Sequence, residues 1–393
     1  MEFGANPLSA APLPGTSAAV GKTDLLSRWK TLSRWHAVGR PLRGLPRAGA
    51  IALLLAVLAA LIWSSVAVPQ LNSVPKKVRI DPNGGPPIGD FALYALISRE
   101  MASGKGYYAA AIEAQRDHNY PTRPFITVRL PTLAWMTALL GPKALHNLMY
   151  ALLAAIAALF FVRIRPALGL VPAVGGGLMV LLGGAGITAN QAASIHELAA
   201  GLLIGLAILV YRPSRIWPSV LAAGLALAVR ELTLPFVLLW LAFAVVEQRW
   251  REAAVVASMI ALFFAGLVLH YFAVAALILP TDEASPGWNG LMGPAFPLLS
   301  LARFSGLALF PLWLAGPVGV VSLFGWLGMG GRTGLLAGMW SAGFFLAMAL
   351  FARVENVYWV LMILPLYLGG LAFVPRAIGD LLASATGRAA SLN

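Results

Sequence analysis

Between Ala50 and Val68 the chain carries no charged side chain, and comparable apolar runs recur at about 145–162, 168–187, 198–211, 216–230, 232–246, 253–278, 306–328, 333–351 and 358–374. A helix needs about 20 apolar residues to cross a bilayer, so this recurrence dictates an all-α polytopic membrane protein of about ten spans. Composition agrees: of the 393 residues 59% are hydrophobic and 11% charged, with a mean hydropathy of +0.80, too little polar side chain to cover a soluble globule. A soluble enzyme, a nucleic-acid binder and a singly anchored receptor are thereby excluded. The net charge of +13 then reflects cations facing the inner leaflet and its anionic headgroups, not a nucleic-acid partner. With no cysteine, a disulfide frame, Cys-ligated zinc, iron–sulfur chemistry and thiol catalysis are ruled out, while the redox compartment stays undecided.

The distribution of Lys and Arg orients the spans. Lys22, Arg28, Lys30, Arg34, Arg40, Arg43 and Arg47 precede the first run against Glu2 and Asp24, unlike a cleavable signal peptide. Leu25, Leu26, Trp29 and Leu32 recur among them at helical spacing, which fits an amphipathic helix on the inner face or a basic tail without structure. The expected layout is a basic cytoplasmic segment 1–49, a first transmembrane helix 50–69, an external loop 70–143 with juxtamembrane helices, a multi-span domain 144–375 and a cytoplasmic tail 376–393. It requires that 125–140 not cross, as Arg129 and Pro131 within it predict. Arg163/Arg165, Arg212/Arg215, Arg249/Arg251, Arg332 and Arg376/Arg388 then share the side of the basic N-terminus. The expected location is the plasma (inner) membrane, with both termini cytoplasmic.

The same threading gathers the acidic groups on the external side: Asp81, Asp90, Glu100, Glu113 and Asp117 in the long loop, then His196-Glu197, Arg230-Glu231, Asp282-Glu283 and Arg353-Val354-Glu355-Asn356 in the turns. An ion-coupled transporter needs ionisable groups near the midplane; a one-sided external site suits this pattern better. Asp90 opens a helix after Pro86-Pro87-Ile88-Gly89, with Tyr94, Ile97 and Met101 on its face. It is either the N-cap of a surface helix or a general base for a sugar or lipid hydroxyl. Arg230-Glu231 is a self-satisfied ion pair or a ligand site. His196-Glu197 suits helix capping, or half of a metal or acid/base site. Around Arg353, Glu355 and Asn356, an interfacial aromatic belt accounts for Tyr358 and Trp359 but not for the three polar residues. Trp288-Asn289 is a loop tip or a platform for stacking carbohydrate.

A basic cytoplasmic N-terminus, one span, an external loop opening on Gly89-Asp90-Phe91-Ala92-Leu93-Tyr94, the Arg123-Pro124-Phe125 stretch and many short spans resemble the GT-C class of membrane glycosyltransferases, among them the protein O-mannosyltransferases and the aminoarabinose transferases of lipid A. The likeness covers roughly residues 1–165 by motif and the remainder by layout. It implies a GT-C-like bundle and an inverting glycosyltransferase that moves a sugar from a polyprenyl-phosphate donor to a lipid, glycan or protein acceptor at the external face. Asp90 would be the catalytic base. Tyr94, Arg123, Arg129, His196, Glu197, Arg230, Glu231, Arg353, Glu355 and Asn356 would serve substrate or phosphate. Two departures stand out: Gly89-Asp90-Phe91 lacks the second acid of the common Asp-Glu pair, and no large soluble domain follows the last span. No cofactor is called for, and a divalent metal is compatible but not indicated. The rival readings are a transporter or flippase of lipid-linked saccharides and a non-enzymatic subunit of an envelope-polysaccharide assembly.

Overall fold

Helix is the rule because a backbone in hydrocarbon must satisfy its own hydrogen bonds. The computed structural model describes residues 39–73 and 88–387, so the amphipathic reading of 25–32, most of the basic segment, Asp81 and Arg388 lie outside the described residues. Helix α1 (Arg47–Ser73) is followed by three short helices, α2 (Asp90–Ala102), α3 (Tyr107–Asp117) and α4 (Thr132–Leu140). The bundle continues with α5 (Pro142–Leu168), α6 (Leu170–Thr188), α7 (His196–Val210), α8 (Trp217–Val229), α9 (Leu234–Val246) and α10 (Trp250–Ala275). It closes with α11 (Ala295–Phe304), α12 (Leu312–Met329), α13 (Gly331–Phe351) and α14 (Leu364–Ala385). Among the described residues the extended exception is an isolated parallel bridge between Arg123 and Ala284.

Seven of these helices, α1, α5, α6, α10, α12, α13 and α14, are long and apolar enough to cross a membrane. The expected spans at 198–211, 216–230 and 232–246 instead form α7, α8 and α9, of 15, 13 and 13 residues. At 1.5 Å per residue these are roughly 20 Å long, short of the ~30 Å hydrocarbon core. The stretch 125–140 is a 3-10 turn, Phe125–Thr127, followed by the nine-residue α4, again too short to cross. The last span also differs from expectation. Residues Val354–Met362 form a 3-10 segment kinked at Asn356, and the long helix begins only at Leu364, with Pro365 in its first turn, then carries Arg376 and Asp380 within it. Hydropathy alone merged the two because both are apolar.

Close packing comes from small residues, as van der Waals contact between helices in lipid requires. A Cβ on Gly201 would strike the Leu361 carbonyl, and one on Gly325 the Gly370 carbonyl, so α7 and α12 approach the 361–370 backbone directly. Gly169, at φ +83°, makes the turn from α5 into α6 that a residue with a Cβ would resist. Outward faces remain apolar: Leu58 and Ile62 on α1, Leu262 and Leu269 on α10 are more than half exposed.

The ends of the bundle differ in charge. At one end Arg40 donates to Asp380 and the Ser384 hydroxyl to the Arg43 carbonyl at 2.8 Å, joining the chain before α1 to the end of α14. The same end holds Arg332, whose Nη2 lies 2.7 Å from Glu252. Helix α13 runs from beside Arg332 to Phe351, two residues short of Arg353, and its 21 residues separate the ends by about 30 Å.

Candidate active site

At the end reached by Arg353, a cavity of about 340 Å³ opens between α2, the 3-10 segment 354–362 and the 283–288 loop. Asp90 is on its wall. The N-cap of α2 is Gly89, in extended conformation, and no side chain caps the helix; Asp90 is the first helical residue. Its carboxylate accepts a hydrogen bond from the Tyr358 hydroxyl instead. The cap reading of Asp90 is therefore corrected: Gly89 occupies the cap, and the Asp90 side chain is held toward the cavity at a helix N-terminus, where negative charge is favoured. Tyr358, which a membrane-interface belt accounted for in the sequence, is a polar partner in the site and is only 5% exposed, with Phe91 packed edge-on to its ring at 5.2 Å.

One turn along α2, Tyr94 also lines the cavity. Arg129 Nε donates to its hydroxyl oxygen at 2.8 Å, and the Tyr107 hydroxyl donates to the Arg129 carbonyl. Burial pushes the Tyr94 hydroxyl up to about 12, outweighing the opposing pull of Arg129, so at neutral pH it keeps its proton. With its oxygen accepting from Arg129, that proton is directed away from the guanidinium and is available to an acceptor in the cavity.

Behind this wall lies a chain of alternating charges. Arg129 Nη1 is 3.7 Å from Glu231, Arg230 donates to Glu231, and Arg230 Nε is 2.8 Å from Glu197. Two cations and two carboxylates compensate one another, the condition under which buried charge is tolerated. Arg230 is 0% exposed. Of the two readings the sequence left open for it, the ion pair is the arrangement present: the short turn between α8 and α9 is tucked into the protein, where Arg230 meets two carboxylates and does not line the Asp90 cavity. His196, 3% exposed, packs its ring edge-on against Tyr94 at 4.8 Å.

Arg123 lies beside the Asp90 cavity and holds the adjoining loop. Its guanidinium donates to the Asp282 carbonyl, its backbone pairs with the 283–285 segment (Ser285 N to Arg123 O, 2.7 Å), and it is not among the cavity residues. It clamps the loop that carries Trp288 to the cavity. The same loop is fixed by Arg116 Nε on Asp282 at 2.8 Å and Thr122 Oγ1 at 3.1 Å, and the Arg116 hydrogen bond, first among the causes, holds the Asp282 carboxyl well below the usual carboxylate range.

Arg353, Glu355 and Asn356 do line the cavity. Asn356 Oδ1 accepts from the Arg353 backbone N–H at 3.0 Å and shapes the 3-10 turn. The Arg353 guanidinium is only 4.0 Å from Glu355, itself 64% exposed, so this cation is loosely paired. Trp288 and Trp359 meet edge-on at 5.5 Å on the cavity wall. Sequence reasoning missed Gln115, Tyr120 and Thr127, which also line the cavity and lie in loop or short-helix segments with no motif to flag them, and it named Glu283, another lining residue, only as an external-turn acid. Among the described residues no three His, Asp or Glu side chains gather as a metal would need.

On the other side of the Arg129–Thr132 segment is a second, apolar cavity of about 400 Å³, lined by Leu130, Pro131, Thr132 and α8 and α10 residues such as Leu227, Leu262 and Phe263. A single strand of backbone thus presents Arg129 to the polar cavity and its next three residues to an apolar one that borders the exposed face of α10.

No protein-family model matches the chain, and no curated protein matches it. Among solved structures it is similar to ArnT from Cupriavidus metallidurans in the apo state, with 16% identity, 88% of this chain and 64% of that chain covered, and a TM-score of 0.47. It is similar also to the same protein bound to undecaprenyl phosphate, with 15% identity, 87% and 63% coverage and a TM-score of 0.47. The chain spans less than two-thirds of the length of the structures it matches, 64% and 63%.

Proposed function

We propose that the protein is an inverting glycosyltransferase that uses a polyprenyl-phosphate sugar and acts at the end of the bundle where Asp90 and Arg353 line one cavity. The carrying observation is that Asp90, freed from capping its helix, shares one polar cavity with Arg129 and Arg353. In the reaction the Asp90 carboxylate takes the proton of an acceptor hydroxyl. The hydroxyl oxygen forms a bond to the sugar C1 as the bond from C1 to the phosphate oxygen breaks, and the lipid phosphate departs with the electron pair. Negative charge develops on that phosphate, where planar guanidinium forks stabilise it best. Arg353, loosely paired, is the better placed of the two; Arg129 is already committed to Tyr94 and Glu231. Tyr94 can donate its proton to a sugar or phosphate oxygen.

The apolar cavity beyond Leu130 supports the lipid character of the donor, since it puts a greasy surface within one residue of Arg129 on the wall of the polar cavity. Trp288 and Trp359 support the sugar, whose C–H faces pack on indole rings. A carrier needs no basic carboxylate beside such a platform, and a purely structural subunit would leave Asp90 at the cap. Purified protein incubated with labelled polyprenyl-phosphate sugars and a panel of lipid, glycan and peptide acceptors tests the reading. Transfer that is lost in Asp90→Asn supports it; binding of the donor without transfer under every acceptor would defeat it.

A further inference from the structure

At the end of the bundle remote from Asp90, a cavity of about 590 Å³ lies between the α7–α8 and α9–α10 connections, and its walls hold Arg215, Arg249 and Arg251. Two tryptophans flank it, Trp217 and Trp250, at 59% and 64% exposure. Among the described residues the one carboxylate in the wall is Glu252, which is already saturated. It receives Arg249 Nε at 2.6 Å, Trp240 Nε1 at 2.6 Å, Tyr211 Oη at 3.0 Å and Arg332 Nη2 at 2.7 Å. A carboxylate has about four acceptor positions, so Glu252 has none left for Arg215 or Arg251. Nearby Glu247 is engaged by Arg332 Nε at 3.1 Å. Arg249 also ties the two connections together, its Nη2 donating to the Pro213 carbonyl at 2.9 Å, so the cavity is braced by the protein. Arg212 and Arg163 add positive charge at the rim, the latter donating to the Tyr211 carbonyl at 2.7 Å.

We propose that this cavity binds the phosphate headgroup of an anionic phospholipid. Scattered interfacial arginines alone would satisfy a topological bias in charge. Here they converge on a recess whose only acid is spent, and two exposed indoles stand beside it where a membrane–water boundary favours them. Cationic recesses of this kind between membrane helices suit lipid headgroups, with guanidinium forks on the phosphate oxygens and the acyl chains lying along the adjoining apolar helices. The site is independent of the transfer reaction, since α10, at 26 residues, carries Trp250 at one end and His270 near the other, where His270 Nε2 is 3.1 Å from the Val128 carbonyl by the Asp90 cavity.

The test is native mass spectrometry of the whole purified protein with phosphatidylglycerol and with phosphatidylcholine of matched acyl chains, each with and without inorganic phosphate. Phosphatidylglycerol should be retained in preference. Arg215→Gln/Arg251→Gln should weaken that retention by about tenfold or more, from two surface cations lost, whereas Arg99→Gln/Lys143→Gln, which removes two cations from the other end, should not. Neither Arg215 nor Arg251 holds a side-chain partner among the described residues, so the fold does not depend on them; if the double variant nonetheless failed to fold, each single variant would still read about a fivefold loss. Equal retention of the two lipids, or equal losses in both double variants, would overturn the proposal. So would displacement of phosphatidylglycerol by inorganic phosphate alone, which would assign the recess to a free anion.

Discussion

The Tyr358 hydroxyl donates to the Asp90 carboxylate across 268 residues of sequence, joining the start of the second helix to the segment that precedes the last one. Its effect is to fix the carboxylate against the cavity wall while leaving its other oxygen for a substrate proton. In Tyr358→Phe the ring and its packing on Phe91 stay and the hydrogen bond goes. A hydrogen bond to a charged group contributes about 1.5–3 kcal/mol, so transfer should fall roughly ten- to a hundredfold if the bond orients the base. Asp90→Asn should cost more, 10²-fold or beyond on a rough scale. Single-turnover rates with a labelled donor measure both, and a Tyr358→Phe rate equal to wild type would make the contact structural only.

Arg353 presents its guanidinium to the cavity with only a long contact to Glu355. Arg→Lys keeps charge but loses the planar fork, so Arg353→Lys should raise the donor KM by about tenfold and leave the unfolding midpoint in place. The same change at Arg123 should leave donor KM alone and loosen the Trp288 loop, since Arg123 grips the Asp282 carbonyl. If the two variants exchanged these phenotypes, the donor phosphate would lie on the loop.

Acid stability should be read at Asp282. Its carboxyl titrates below the ordinary carboxylate range in the folded protein because Arg116, Thr122 and the Leu279 N–H hydrogen-bond the ionised form. A depressed folded value stabilises the fold wherever the unfolded chain's carboxyl is ionised, above roughly pH 4. That stabilisation fades as pH falls from there toward the lowered folded value. Asp282→Asn should therefore lower the unfolding midpoint at pH 7 and narrow the gap to wild type in acid. A gap that widened on acidification would contradict the hydrogen-bonding arrangement.

Much of the site could be read from the chain because its chemistry is local. Asp90 and Tyr94 fall one helical turn apart after a Gly-Pro-rich break, and Arg353, Glu355 and Asn356 sit in one turn too polar for a span. Partners set by tertiary packing could not be read. Nothing near Tyr358 in sequence signals Asp90, and nothing near Arg123 signals the carbonyl of Asp282. The same holds for span boundaries: beyond Asn356 the 3-10 segment that ends at Met362 is as apolar as the helix it leads into, so hydropathy runs straight through it. Arg230 is legible as a costly charge between apolar runs with Glu231 beside it as a partner, but its second carboxylate, Glu197, depends on how α7 docks on α8.

That docking makes the buried chain Arg129–Glu231–Arg230–Glu197 the sharpest place to separate architecture from catalysis. Arg230 is fully enclosed with Glu197 at 2.8 Å and Glu231 beside it. Removing one member leaves its partner charged without compensation, which costs about 3–5 kcal/mol, whereas replacing a pair by apolar side chains of like volume is close to neutral. Arg230→Met should thus depress the unfolding midpoint in detergent far more than any change at Arg353. Arg230→Met combined with Glu197→Leu should recover part of that loss, a departure from additivity expected of groups in direct contact. Transfer per folded molecule should change little in the double variant, because neither side chain is in the cavity and Glu231 still balances Arg129. A double variant that folded as well as wild type yet lost donor use would mean that Arg230 acts on the substrate after all, and the cavity would have to open further than its present walls allow.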